Sequence, residues 1–226
     1  MSGVPKSSGD AGGEIKTIRT GGIAWLGPLT GSGCWVWGTD YTSGDLYEAE
    51  ELYRDGHRIR SSRLVFVHCP DGRAVEPVRA KDGQYFGSPA FDGGFPVILL
   101  ADFPAGEFRI LRYNDDTGEV SPIAVLPRSA VEDCYNLMLR RAPLMLTRQA
   151  SERFQVVWPE KADFPIHCAE SFVFRAGDRL YFSRWFEDPD YREEVVVRRF
   201  PTGEIVDGFR GSLNEMPDGQ HWLLTE

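Results

Sequence analysis

The chain has 226 residues, of which 42% are hydrophobic and 26% charged, with 24 glycines, 15 prolines and a formal net charge of −9. No apolar run reaches the roughly 18 residues of a membrane-spanning helix, and the acidic balance speaks against a nucleic-acid partner, whose phosphates need clustered Lys and Arg. Glycine and proline are spread along the chain, as many short strands joined by tight turns require.

Residues 1–12, beginning Met1-Ser2-Gly3-Val4-Pro5, are polar and Gly/Ser-rich and read as a disordered arm. They lack the apolar centre of a secretory signal, so a cytoplasmic location is the expectation. Residues 13–226 read as one domain of short strands. In its first part Ile23–Leu26, Cys34–Gly38, Leu64–His68 and Val75–Val78 are predicted strands, with Trp35 and Trp37 on one face. The stretch Asp40–Ser62 interrupts them. Asp45 followed by Glu48 is a helix-start signal, Gly56 a stop, and Leu46, Ala49, Glu50 and Tyr53 recur at helical spacing, which predicts a short amphipathic helix.

Two kinds of glycine turn then alternate. One kind is Gly12-Gly13-Glu14-Ile15, Asp71-Gly72, Thr117-Gly118-Glu119-Val120 and Thr202-Gly203-Glu204-Ile205, with Pro159-Glu160 in the place of a degenerate copy. The other is Ser88-Pro89-Ala90-Phe91-Asp92-Gly93, Ala176-Gly177-Asp178 and Met216-Pro217-Asp218-Gly219, with weaker copies at Thr30-Gly31 and Ala142-Pro143. Gly72 and Gly118 are 46 residues apart, Gly93 and Gly177 84, and Gly177 and Gly219 42. A period in the low forties is that of a four-stranded propeller blade. These turns resemble the TolB-type, WD-like propeller repeat, whose inner hairpin carries a Ser-Pro-Asp-Gly turn and whose outer hairpin carries Asp/Thr-Gly. The resemblance is of architecture, and such folds host unrelated functions.

Five turns of each kind predict an all-β, five-bladed propeller with the helix inserted in its first blade. The order begins with an outer turn and ends with an inner one. The ring is therefore expected to close by pairing Leu213–Thr225 with Glu14–Thr20. The third blade is expected to be the weakest repeat, since neither of its turns keeps glycine.

No cofactor or metal site is expected. Cys34, Cys69, Cys134 and Cys168 have no CxxC spacing and read as free, buried small hydrophobes, and the doublets His68-Cys69 and His167-Cys168 offer only one ligand per strand face. The basic pairs Arg140-Arg141 and Arg198-Arg199 lie on or beside strands with acids nearby.

Both kinds of turn share one end of the blades, so the variable loops lie at the other. There Tyr41, Tyr47, Tyr53, Trp185, Phe186 and Tyr191, ringed by Glu48, Glu51, Glu187, Asp188 and Asp190, form a candidate contact surface for a protein or peptide, with the acids selecting a basic partner. The expected function is therefore a binding module. One alternative is a carbohydrate-active enzyme using Asp82, Asp133, Glu170 and Glu215 as channel carboxylates. The other is a lectin-like glycan binder with Trp158 and Trp185 as stacking platforms.

Overall fold

A computed structural model describes residues 15–40, 44–57 and 62–225. It is built of antiparallel sheets in a propeller arrangement, with a single α-helix among the described residues. The first blade contains β1 (Gly27–Pro28), β2 (Trp35–Thr39), β3 (Leu64–His68) and β4 (Arg73–Val75). The second contains β5 (Gln84–Phe86) and β6 (Ala90–Asp92), which both pair with β7 (Phe95–Asp102), followed by β8 (Glu107–Tyr113) and β9 (Val120–Pro127). The third runs β10 (Met138–Arg140), β11 (Met145–Ala150), β12 (Arg153–Trp158) and β13 (Ala162–Pro165). The fourth runs β14 (Glu170–Ala176), β15 (Arg179–Phe186), β16 (Arg192–Arg199) and β17 (Ile205–Arg210). A two-stranded hairpin, β18 (Ser212–Glu215) and β19 (His221–Leu224), ends the chain's strands.

The period-2 alternation of each strand serves two interfaces at once. On β7, Ile98 and Leu100 turn towards Trp35 and Phe66 of the first blade, whereas Val97, Leu99 and Ala101 turn towards Leu139, Leu146 and Val157 of the third. The other face of the third blade packs Met145, Phe154 and Phe164 against Phe172, Phe182 and Val196 of the fourth. The outermost strand β9 is half exposed and carries Pro122 and Pro127. Proline is tolerated there because an edge strand has no outer neighbour to receive its N–H.

The helix α1 (Leu46–Arg54) forms where its signals stand. The Asp45 carboxylate accepts the backbone N–H of Tyr47 and Glu48. At the other end Gly56, at φ 75°, donates to Tyr53 O and His57 donates to Leu52 O, so the last carbonyls are satisfied by a left-handed cap. Leu46, Ala49 and Glu50 are buried, and the helix lies over the loop ends of the second and third blades. In the third blade the strands persist without turn glycines, because Ala142 itself adopts φ 47° at the inner turn.

Four expectations are corrected. Four sheets are full blades, and the β18–β19 hairpin has no further strand paired to it among the described residues. The proposed partner strand Glu14–Thr20 does not form: Ile15–Thr20 carry no strand, while Glu14 and the arm 1–12 lie outside the described residues. The reason lies in the first blade. Residues 20–26 are laid against its outward face, where Ile23 is buried with Val65 and Val67, and Arg63 binds Thr20 O and Gly21 O. Gly38 permits this, since a Cβ there would collide with the Trp25 carbonyl. The Ile23–Leu26 inner strand is likewise replaced by Gly27–Pro28, and the fourth strand begins at Arg73.

A comparison of two equivalent turns tests the packing. Gly118 and Gly203 have φ 73° and 75°, but a Cβ at Gly118 meets nothing within 4 Å whereas at Gly203 it overlaps the buried Phe164 ring. Gly118→Ala should cost about 1 kcal/mol for its left-handed backbone. Gly203→Ala should cost about 1–3 kcal/mol more through overpacking. Urea unfolding of the two variants checks this, and equal midpoints would contradict the packing.

Candidate functional site

The inner strands surround a cavity of about 270 Å³ lined by Pro28–Thr30, Ser88–Ala90, Met138–Arg141, Val173–Phe174 and Glu215, with Trp37 at its side. Arg141 crosses it. Its Nε lies 3.3 Å from Glu215 Oε1 and its Nη2 donates to Gly219 O at 2.8 Å, so the third blade holds the hairpin's turn. Beside it the Pro217 carbonyl accepts the Gly31 N–H at 2.9 Å, from the first blade. From the fourth blade Phe174 stacks on His221 with ring centroids 3.7 Å apart, and Tyr181 stacks on the same Phe174 at 4.3 Å. The hairpin is thus held by three blades through side chains and turns.

Arg140 enters the cavity differently. Its Nε donates to Thr147 Oγ1 at 3.2 Å, and its guanidinium carbon lies 5.3 Å from the centre of the Phe172 ring. No carboxylate lies within ion-pair distance of it among the described residues. Burial pushes its pKa down to about 10, with Glu215 acting the other way.

The four carboxylates named from the sequence are not gathered in one place. Asp82 sits in the turn before β5. Asp133 is gripped by Arg148 at 2.6 Å; burial pushes its pKa up, but the Tyr135 N–H and the Arg148 guanidinium outweigh this and hold it below the ordinary range. Glu170, 1% exposed, accepts two hydrogen bonds from Arg198 at 2.9 Å, and Arg198 also donates to Gly203 O. Glu215 alone lines the cavity, at the end of β18 next to the turn rather than at the loop end.

The contact residues divide into two groups. Tyr47 packs edge-on against Tyr135 at 5.5 Å, and Tyr53 against Phe103 at 5.4 Å, both beside the second and third blades. Glu48 and Glu51 share that helix, and Tyr41 lies outside the described residues. The fourth-blade loop stands apart. Trp185 is 46% and Tyr191 67% exposed, and Glu187, Asp188 and Asp190 are exposed around them. Phe186 is clasped between Arg184 and Arg192, 4.9 and 4.2 Å from its ring centre. Tyr191 donates to Glu193 Oε1 at 2.5 Å, and this hydrogen bond holds the phenol above its ordinary pKa. Trp158 is half-buried against the second- and third-blade core.

Sequence reasoning missed Glu50 as an anchor. Its carboxylate binds Arg128 and accepts the Cys134 N–H at 2.9 Å, tying α1 to the link between the second and third blades. The cysteines form no disulfide; Cys134 is buried, but Cys69 and Cys168 are exposed, against expectation, because both fall in turns between strands.

The sequence matches no family model and no curated protein. Among solved structures the chain is similar to a candidate 6-phosphogluconolactonase from Bacteroides uniformis, with a TM-score of 0.38 and 13% identity over 87% of this chain and 61% of that one. No helix among the described residues is long and apolar enough to cross a membrane.

The His221 imidazole gives a pH test. Burial pushes its pKa below the ordinary 6.5; Glu215 opposes this and Arg141 adds to it. Below pH 6.5 the unfolded chain therefore binds a proton that the folded hairpin refuses, and stability falls as the pH drops through that range. Asp133, Asp163 and Asp115, whose pKa values are lowered, act only in the acid range below about 4. His221→Gln should remove the loss of stability between roughly pH 6.5 and 5 and leave the acid transition. Urea midpoints across pH measure it; an unchanged slope in the variant would assign the loss to other groups.

Proposed function

We propose that the protein is a binding module whose contact surface is the loop end and flank of the fourth blade, and that the β18–β19 hairpin is a shortened fifth blade of the ring. The single observation that carries this is the exposure of Trp185 and Tyr191 at the tip of β15–β16. A chain that buries Phe154, Phe182 and Tyr85 completely leaves these rings in water. Large rigid aromatics bring contact area at low entropic cost and dominate binding hot spots.

The register extends the surface. Trp185 lies opposite Glu193 and Ser183 opposite Val195, which in turn lies opposite Phe209, so Trp185, Val195 and Phe209 share one face of the blade. Phe209 is 41% exposed, and Leu223 and Leu224 of the hairpin are exposed as well. A full fifth blade would bring two more strands to this flank. With only two strands among the described residues, the flank is open to a partner. Glu187, Asp188 and Asp190 at its loop end favour a basic protein or peptide and speed its approach. The lining of the channel by five inner segments supports counting the hairpin as a blade.

A glycoside hydrolase is less well supported, because Asp133 and Glu170 already serve arginines inside the blades. Trp158, half-buried, makes a poor platform for a sugar.

The double substitution Trp185→Ala and Tyr191→Ala should change stability by no more than about 0.5 kcal/mol each, as exposed positions do. A partner captured by the intact protein, identified and then titrated as a pure component, should bind the double variant at least about tenfold more weakly. Undiminished binding to a folded double variant would remove the surface from consideration.

A further inference from the structure

We propose that the cavity beside Arg140 binds a small oxyanion, the carboxylate or phosphate group of a compact soluble ligand, through the free fork of that arginine. This site is distinct from the fourth-blade surface and does not depend on it. Its basis is a charge imbalance. Four ionisable groups meet at the turn half of the channel: Arg140, Arg141, Glu215 and His221. Arg141 and Glu215 offset each other at 3.3 Å, and His221 lies 3.8 Å from the same carboxylate oxygen. That leaves Arg140 without an ion pair of its own among the described residues, Glu215 reaching it only at longer range.

The two groups that touch it supply no negative charge. Thr147 Oγ1 takes the Nε proton and Phe172 offers a ring face, both neutral. Arg140 is half-buried, and its terminal nitrogens have no hydrogen-bond partner among the described residues, so an oxyanion in the cavity can bind them in place of water. Burial lowers the Arg140 pKa to about 10, which still leaves it cationic at neutral pH. It therefore keeps its charge.

The chemistry of the vacant donors selects the ligand. With Nε engaged, the four N–H bonds of the two terminal nitrogens remain, in a planar fork that matches two oxygens of a carboxylate or phosphate. The hydroxyl-bearing Thr30 and Ser88 line the same cavity and can complete the shell of such an anion. The cavity volume of about 270 Å³ suits a head group of a few heavy atoms. Glu215, the one carboxylate on the wall, is engaged by Arg141 and repels the anion towards the Arg140 side.

The test uses the intact protein and calorimetric titration at fixed ionic strength with three probes: inorganic phosphate, malonate and chloride. Saturable uptake of phosphate or malonate, but not of chloride, is expected, and the tighter of the two identifies the head group. Arg140→Gln should weaken that uptake by about tenfold or more, and Arg140→Lys should recover part of it, since the charge returns without the fork. Glu215→Gln should move affinity the other way and tighten it, which a folding defect does not do. If Arg140→Gln does not fold, the wild type and Glu215→Gln decide between them. Absence of saturable uptake by wild type, equal affinity in a folded Arg140→Gln, or no tightening in Glu215→Gln would each overturn the site.

Discussion

A propeller blade is apolar on both faces and is stable only with something packed on each. In this chain the second and third blades pack against full blades on both sides. The outward face of the first blade is covered by its own leading segment, with Ile23 over Val65 and Val67. The fourth blade has the hairpin instead, and beyond its reach Phe209 and Trp185 stay in water. Trp185 and Phe209 are exposed because no further strand among the described residues covers that face of the fourth blade.

So short a hairpin gains most of its hold from side-chain and turn contacts at its turn end. Arg141 from the third blade, Gly31 from the first and Phe174 from the fourth converge on Glu215, Pro217 and His221. At one end of the hairpin Gly211 donates to Glu193 O at 3.0 Å. Side-chain contacts of this kind are sensitive to protonation, which strand ladders are not.

The blade plan was legible because its signal is backbone conformation. Gly31, Gly72, Gly93, Gly118, Gly177, Gly203 and Gly219 all adopt positive φ at the expected turns, a condition that glycine meets at least cost. The helix was legible for a similar reason: Asp45 and Gly56 act locally on their own backbone. What escaped were relations between distant residues. Nothing in Asp40–Ser62 shows that Glu50 meets Arg128, 78 positions along the chain. The pair Arg140-Arg141 read as a basic doublet on a strand, and only strand placement reveals that one arginine clamps the hairpin while the other has no ion pair among the described residues. The count of full blades was overestimated because a turn marks where a hairpin bends, not how many strands flank it.

The chain's acidic surface and cationic channel are two outcomes of the same distribution. With a net charge of −9 the exterior repels anions at long range, yet screening limits that field to about 8–10 Å at physiological salt. In the cavity two arginines stand beside one carboxylate, so the local balance there is opposite in sign to that of the surface. The loop end, rimmed by Glu187, Asp188 and Asp190, and the turn end, lined by Arg140 and Arg141, therefore offer opposite charges to solvent on one small scaffold. A cation-bearing partner at the first and a small anion at the second would occupy separate sites, and the uniform turns between the blades keep them apart.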